Sequence, residues 1–158
     1  MSWLINRVRR TLQFDTDQYN EWVAVHEVGH AVSSLVLGRR VRYIELNRSR
    51  DGLVTGGVTK AAHSRDPRVM PSFHAGIEAQ EIWMRHHRLW TPQRMDIVRS
   101  SSRHDLDVIQ RVTPDTDEQQ AHHHAAHHHV AHHWPLVQRM ATALLENGRL
   151  SARDISRL

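Results

Sequence analysis

The sequence predicts a mainly α-helical (α+β) domain in which a small β-hairpin is inserted after the second helix. Apolar residues recur every three or four positions from Asn20 to Leu37, as they do on one face of an α-helix. The spacing changes at Val41, where branched and aromatic residues alternate with polar ones in the manner of a β-strand. Helical spacing returns at Ser72 and continues toward the C-terminus.

The N-terminal segment, residues 1–13, predicts an amphipathic helix in which arginines alternate with apolar residues. It lacks the continuous apolar core of a secretory signal. We expect this helix to pack on the domain, and a helix on a membrane surface is the alternative. Residues 14–19 form a connector in which Asp15, Thr16 or Asp17 is the N-cap of the next helix.

The hairpin is predicted from a strand beginning at Val41, a turn-like stretch over residues 47–52 and a short second strand over residues 53–59. Gly56 and Gly57 weaken the second strand, because glycine offers no side chain to pack. The predicted helices that follow cover residues 72–87, 101–112, 115–133 and 135–146, with a short terminal helix capped by Ser151. We expect residues 1–19 to be an N-terminal helix and connector, and residues 20–158 to be one domain that includes the His-rich helix 115–133.

Composition narrows the function classes. The chain of 158 residues carries a formal charge of +4 and contains no cysteine, which excludes thiolate metal sites and disulfides and favours a cytoplasmic location. No apolar run reaches the roughly 18–20 residues needed to span a bilayer. The arginines are scattered among acidic residues, so we expect no nucleic-acid partner.

One motif carries chemistry: His26-Glu27-Val28-Gly29-His30 matches H-E-x-x-H in the middle of the second helix. Residues four apart lie on the same face of a helix, so both imidazoles can bind one Zn²⁺ ion. Glu27 lies beside such an ion, where it can act as general base toward a water whose pKa zinc lowers from about 15.7 to ~7. The alternative is a pair of hydrogen-bonded histidines without a metal.

A zinc site of this kind requires a third protein ligand and an open fourth position. Spacing alone does not choose among the acidic and imidazole side chains of the later helices. The candidates are His74, Glu78, Glu81, His104, Asp105 and Asp107.

The run from Val25 through the HEVGH motif to Gly38 resembles the HEAGHA segment of FtsH-type zinc metalloproteases. In that family a glycine-containing strand region, an AG-x-A-A-E helix and a G-A-x-x-D-[LI] helix follow in this order. Residues 51–57, 75–81 and 101–106 are similar to these three segments in order and rough spacing. The resemblance covers most of residues 20–158, and only HEVGH is a strict match.

This resemblance implies zinc ligands His26, His30 and Asp105, with Glu27 as the catalytic base. It also implies that Gly52–Thr59 offers an edge strand to an extended polypeptide substrate. The side chains considered for orienting an imidazole are Glu81 and Asp107.

The sequence departs from the FtsH pattern in ways that concern the substrate. It has no G-x-x-x-x-G-K-[ST] segment, so we expect a peptidase domain that stands without its ATPase module. Gln80 replaces the first Glu after the family's Ala pair, and Ser101-Ser102 replaces Gly-Ala. We therefore expect a zinc metalloendopeptidase that acts on unfolded or flexible segments. The other possibility is that a separate ATPase partner unfolds the substrate for it.

The histidines of residues 122–133 form a dense cluster in which several pairs lie four apart. A helix would place such pairs in position to chelate metal. The alternative interpretation is a solvent-exposed helix face that contains histidines without a metal-binding role. Two alternative functions therefore remain beside the peptidase. One is a non-catalytic metal-binding interaction module, and the other is a His-rich metal-handling protein.

Overall fold

The structure, a computed structural model, describes the backbone of residues 2–64 and 66–158, and the side chains of residues 7–64 and 66–158. It confirms the mainly α (α+β) class and the hairpin after the motif-bearing helix. The apolar side chains predicted for residues 3–5 lie outside the described ones. The elements are α1 (Ser2–Leu12), α2 (Thr16–Val36), β1 (Val41–Arg48), β2 (Val54–Ala61), a 3₁₀ turn (Pro67–Val69), α3 (Pro71–His86), α4 (Pro92–Ser101), α5 (Arg103–Val112), α6 (Thr116–His132), α7 (Trp134–Asn147), β3 (Arg149–Ser151) and α8 (Ala152–Ile155).

Helix α2 is the central element of the core. Asp15 caps its N-terminus through a reciprocal capping box with Gln18, as one of the three sequence candidates. The helix ends before Gly38, whose φ of 71° suits glycine in a left-handed C-terminal turn. Most of its length is buried, so the motif lies in a well-fixed part of the chain.

The sheet has three antiparallel strands in the order β2-β1-β3. The third strand was not predicted: after the α7 C-cap at Gly148, residues 149–151 pair with β1 before Ser151 caps α8. In this order β2 is an edge strand, and its outer edge is unpaired among the described strands. Strand β2 packs against α2.

Helix α3 packs closely against α2 through small residues. A Cβ at Gly29 would lie 2.7 Å from the Cβ of Ala79 and would also clash with the backbone oxygen of Ala75. A side chain at this position would push the helices apart. The glycine of the motif therefore sets the distance between α2 and α3.

Two apolar residues at the end of α2 are not part of the core: Leu35 and Val36 are 37% and 42% exposed. Phe73 of α3 is half-buried at the wall of a cleft. Helical spacing continues one turn beyond the part of α2 that is covered by other elements.

No helix in the described part of the chain is long and apolar enough to cross a bilayer.

Candidate metal centre and active site

The side chains of His26, His30 and Asp105 converge at one point between α2 and α5. The two Nε2 atoms lie 3.0 Å apart, and each lies 3.3 Å from the same oxygen, Oδ2 of Asp105. Among the described residues, these three form the group of metal-ligating side chains close enough to hold one ion. The three side chains are only about one-seventh exposed (14–15%), so the point of convergence is shielded but reachable.

The orientation of each imidazole is fixed by a hydrogen bond of its Nδ1 atom, on the side of the ring away from the point of convergence. The Nδ1–H of His30 donates to the backbone oxygen of Ser72 at 2.6 Å, and that of His26 donates to Oε1 of Gln80 at 3.2 Å. The Gln80 amide is itself oriented, because its Nε2 donates to the backbone oxygen of Trp22. With both Nδ1 atoms protonated, both Nε2 atoms present lone pairs to the point of convergence.

Two lone pairs and a carboxylate oxygen this close repel each other unless a cation lies among them. In the metal-free protein a proton takes that place. Burial opposes a charge on His30, but the adjacent Asp105 carboxylate outweighs burial and raises the pKa of His30 to about 9. Burial likewise opposes ionisation of Asp105, yet its close contacts with His26 and His30 hold its pKa well below the usual range.

Gly76 of α3 lies directly against the two rings. A Cβ there would lie 2.5 Å from Nε2 of His30 and 2.6 Å from Cε1 of His26. Only glycine lets α3 approach this closely without displacing the imidazoles. The sequence showed Gly76 within an AG pair but not what the glycine accommodates.

Glu27 is buried beside the two histidines, under strand β2. The Thr59 hydroxyl lies 2.9 Å from Oε2 of Glu27 and 2.7 Å from its backbone oxygen, so its single proton is shared between them. A Cβ at Gly57 would lie 2.6 Å from Cγ of Glu27. The bare backbone of β2 therefore passes directly over the carboxylate, which places an edge strand beside the candidate base.

The other candidate third ligands do not join this group among the described residues, although His104 lines the same cleft. Glu81 accepts from Arg85 and from Trp90, so it orients no imidazole of the motif. Asp107 and His104 are exposed on α5. Gln80 and Ser72 have the orienting role that was considered for Glu81 and Asp107, and sequence reasoning missed both. A backbone oxygen leaves no signal in sequence, whereas Gln80 was visible as a departure from the family pattern.

The His-rich helix α6 is neither a free chelating surface nor a simple solvated face. Glu78 of α3, 1% exposed, lies between two of its histidines: Oε1 is 2.6 Å from Nε2 of His123, and Oε2 is 2.9 Å from Nδ1 of His127. Burial opposes the charge of Glu78, but these hydrogen bonds lower its pKa and raise the pKa of His123. No acidic residue is interleaved among the histidines of residues 122–133, so sequence reasoning did not find this partner.

The remaining α6 histidines divide by face. His129 Nδ1 lies 2.9 Å from the buried Ser33 hydroxyl on α2, which ties α6 to the motif-bearing helix. On the opposite face, successive residues four apart are exposed. These are His124, His128 and His132.

The candidate metal centre opens into a cleft of about 840 Å³ between β2 and the helices. One wall is strand β2, and the other is formed by the start of α3 and the start of α5. Glu27 and the three converging side chains line its floor. A cleft of this size beside an unpaired strand edge can hold an extended segment of polypeptide.

A family model described as Peptidase M50B-like matches residues 19–76. This segment contains most of α2 with the whole motif, the hairpin and the start of α3, and it ends before Asp105. The match supports a peptidase family of the site-2-protease-like kind and does not single out the FtsH type. Comparison with curated proteins gives no match.

Proposed function

We propose that this chain is a zinc-dependent metalloendopeptidase that hydrolyses peptide bonds in unfolded or flexible protein segments. The observation that carries the proposal is the convergence of His26, His30 and Asp105 beside Glu27 in a cleft bordered by a strand edge. The peptidase-family match over the motif supports the same function. The FtsH-like resemblance of the later helices is the finer part of the proposal, and it rests on the order of their motifs.

The donor set fits zinc. Ligands about 2.0–2.1 Å from a tetrahedral ion lie about 3.3 Å from one another. The three separations of 3.0, 3.3 and 3.3 Å are therefore close to one face of such a tetrahedron. The lone pairs of His26 and His30 already point to the shared centre, and the cleft leaves the fourth direction open. When bound, zinc supplies a Lewis acid that polarises a peptide carbonyl and acidifies water.

Glu27 transfers the proton from the attacking water to the leaving amine. Its Oε2 is held by Thr59, while no hydrogen bond of Oε1 is seen among the described residues. Oε1 can take the proton of the attacking water and pass it to the leaving amine of the peptide. Burial of Glu27 under β2 keeps bulk water from competing for this proton.

Strand β2 positions the substrate. Its outer edge lines the cleft, so an extended chain can add to the sheet through main-chain hydrogen bonds. Main-chain pairing needs a segment without its own secondary structure, which is why we propose flexible or unfolded substrates. Folded substrates would require a separate ATPase that unfolds them.

The test is Glu27→Gln, assayed on an unstructured peptide and on casein with zinc-loaded protein. We expect hydrolysis to fall by about 10²–10⁴-fold, because general-base transfer is lost while the ligands remain. Zinc content should stay at one ion. The background should carry His124→Gln, His128→Gln and His132→Gln, since exposed histidines bind stray ions.

Two results would contradict the proposal. One is hydrolysis that persists in Glu27→Gln, which would point to a contaminating protease. The other is a wild-type protein that holds one zinc ion and cleaves neither substrate. The second result would favour a non-catalytic metal-binding module.

A further inference from the structure

The cleft has an uneven distribution of charge. Among the described residues that line it, the carboxylates are Glu27 and Asp105, and both belong to the candidate catalytic centre. The cationic side chains that line it lie toward the end of β2 and have no such assignment. They are Arg39, Arg42 and Lys60, with the imidazole of His63 beside them.

Arg39 is the best-defined of these cations. Its Nη1 donates to the Ser72 hydroxyl at 3.0 Å, and its Nη2 donates to the backbone oxygen of Ala62 at 2.7 Å. Its Nε is buried without a hydrogen-bond partner, and no described carboxylate lies within ion-pair distance of the guanidinium. Partial burial lowers the pKa of Arg39, as expected for a charge with only neutral partners. The guanidinium therefore brings an uncompensated positive charge to the cleft.

Ser72 fixes where this charge lies relative to the catalytic centre. Its backbone oxygen accepts from His30, and its hydroxyl accepts from Arg39. Along β2, Thr59 contacts Glu27, and Ala62 three residues later contacts Arg39. At about 3.3 Å per residue in a strand, the charge lies roughly 10 Å from the candidate base.

Arg42 and Lys60 lie exposed at the same end of the cleft. Their charges add to that of Arg39 and are not offset by a carboxylate in the lining. When zinc occupies the centre, its two charges balance those of Glu27 and Asp105. The rest of the lining then keeps its positive charge, and an anion entering this end is attracted.

We propose that the substrates are acidic peptides, with an Asp or Glu side chain two to four residues from the bond that is cleaved. An extended chain paired with β2 brings that carboxylate to the cationic end of the cleft, where it meets the charges of Arg39, Arg42 and Lys60. This inference rests on the proposed peptidase function and names its substrate class.

The first experiment compares matched peptides that carry Glu or Gln at each position two to four residues from the scissile bond. Cleavage and binding are both measured, the latter by fluorescence anisotropy on zinc-loaded Glu27→Gln. We expect kcat/KM to be about tenfold higher for the best Glu peptide, mainly through KM, since a charge-assisted hydrogen bond is worth about that factor. The preference should shrink at high salt.

The second experiment uses Arg42→Glu combined with Lys60→Glu, because both side chains are exposed and their replacement spares the fold. The preference for Glu should disappear or reverse, mainly through a higher KM of the Glu peptide. Arg153→Glu, an exposed arginine of α8 outside the cleft lining, is the matched control and should keep the preference.

The outcomes separate the two proposals. Equal cleavage and equal binding of Glu and Gln peptides would overturn the acidic-substrate inference and leave the peptidase standing. Tighter binding of the Glu peptide with no cleavage of either would support the inference and count against the peptidase. A preference for Glu that survives Arg42→Glu with Lys60→Glu would overturn the role of this end of the cleft.

Discussion

Two clusters of histidine and carboxylate lie on either side of α3. The metal cluster joins His26 and His30 of α2 to Asp105 of α5. The ion-pair cluster joins His123 and His127 of α6 to Glu78 of α3. Both have two histidines four residues apart on one helix and a carboxylate supplied by another helix. By sequence spacing alone they are equivalent.

Their geometry differs at the carboxylate. In the metal cluster both imidazoles face one oxygen of Asp105, so the three donor atoms surround a common point. In the ion-pair cluster each imidazole faces a different oxygen of Glu78, so the carboxylate itself occupies the centre. The first arrangement leaves the common point free for a cation, whereas in the second the carboxylate fills the space between the imidazoles. Spacing of four residues therefore predicts proximity, and the shared oxygen decides whether a metal fits.

The largest expected effect separates the clusters by metal content. Asp105→Ala should lose the bound zinc, with affinity falling more than the ~100-fold typical of a residue that only orients a ligand. Glu78→Ala should keep one zinc ion per chain, because Glu78 touches neither motif histidine. Both are measured by zinc analysis after mild chelator washing, in the background with His124, His128 and His132 replaced.

Zinc loss in Glu78→Ala with the fold intact would show that the two clusters are coupled. Zinc retained in Asp105→Ala would contradict the three-ligand site. Ser102→Ala, next to the α5 N-terminus, is a control for disturbance of that helix, and it should keep the ion.

The second effect concerns stability. Glu78→Ala should lower the free energy of unfolding by about 1–2 kcal/mol, because the contacts of the buried carboxylate with His123 and His127 are lost, while these two imidazoles are 43% and 53% exposed and can be solvated by water. Thermal or urea unfolding measures this loss in the metal-free protein. Glu81→Ala, which breaks the partly exposed pair with Arg85, should cost less than about 1 kcal/mol. An equal loss of unfolding free energy in the two variants would contradict the ion-pair interpretation.

The same contrast explains how far sequence reasoning reached. The motif helix, the hairpin and the His-rich helix follow from local periodicity and turn residues, which act within a few positions. The meeting of Asp105 with His30 depends on the packing of α5, and spacing alone left six candidates for that ligand. The resemblance to a known family reduced them to Asp105, and the structure places this residue with the two motif histidines.

What sequence could not provide are contacts between distant segments that involve ordinary side chains or the backbone. Strand β3 is three residues long and pairs with a strand about a hundred positions earlier, so no periodicity in the sequence predicts it. Glu78 finds its histidines on another helix, although nothing near either one in sequence suggests the pair. The carbonyl of Ser72 behind His30 is a further contact of this kind.

A smaller effect is expected behind the metal cluster. Gln80→Leu removes the acceptor for His26 Nδ1 and keeps the side-chain volume nearly constant, so the ring loses its fixed tautomer. We expect zinc affinity to fall by about 10–100-fold, the usual range when such an orienting hydrogen bond is lost. Competition with a chelator measures the change. Gln80→Glu should restore much of the affinity, because its carboxylate still accepts from Nδ1, and a variant that stays weak would argue for a packing effect instead.

The last effect, which probes the proton in the metal cluster, is the dependence of zinc affinity on pH. The pKa of His30 is raised to about 9 in the metal-free protein, so at pH 7 this imidazole carries a proton that zinc must displace. Affinity should therefore rise with pH, by about tenfold per unit from pH 7, and level off near pH 9. Calorimetry in buffers of different ionisation enthalpy should show about one proton released per zinc at pH 7. Equal affinity at pH 7 and pH 8.5 would mean that no proton is held between the histidines and Asp105. It would contradict the assignment of a proton to His30 in the metal-free protein.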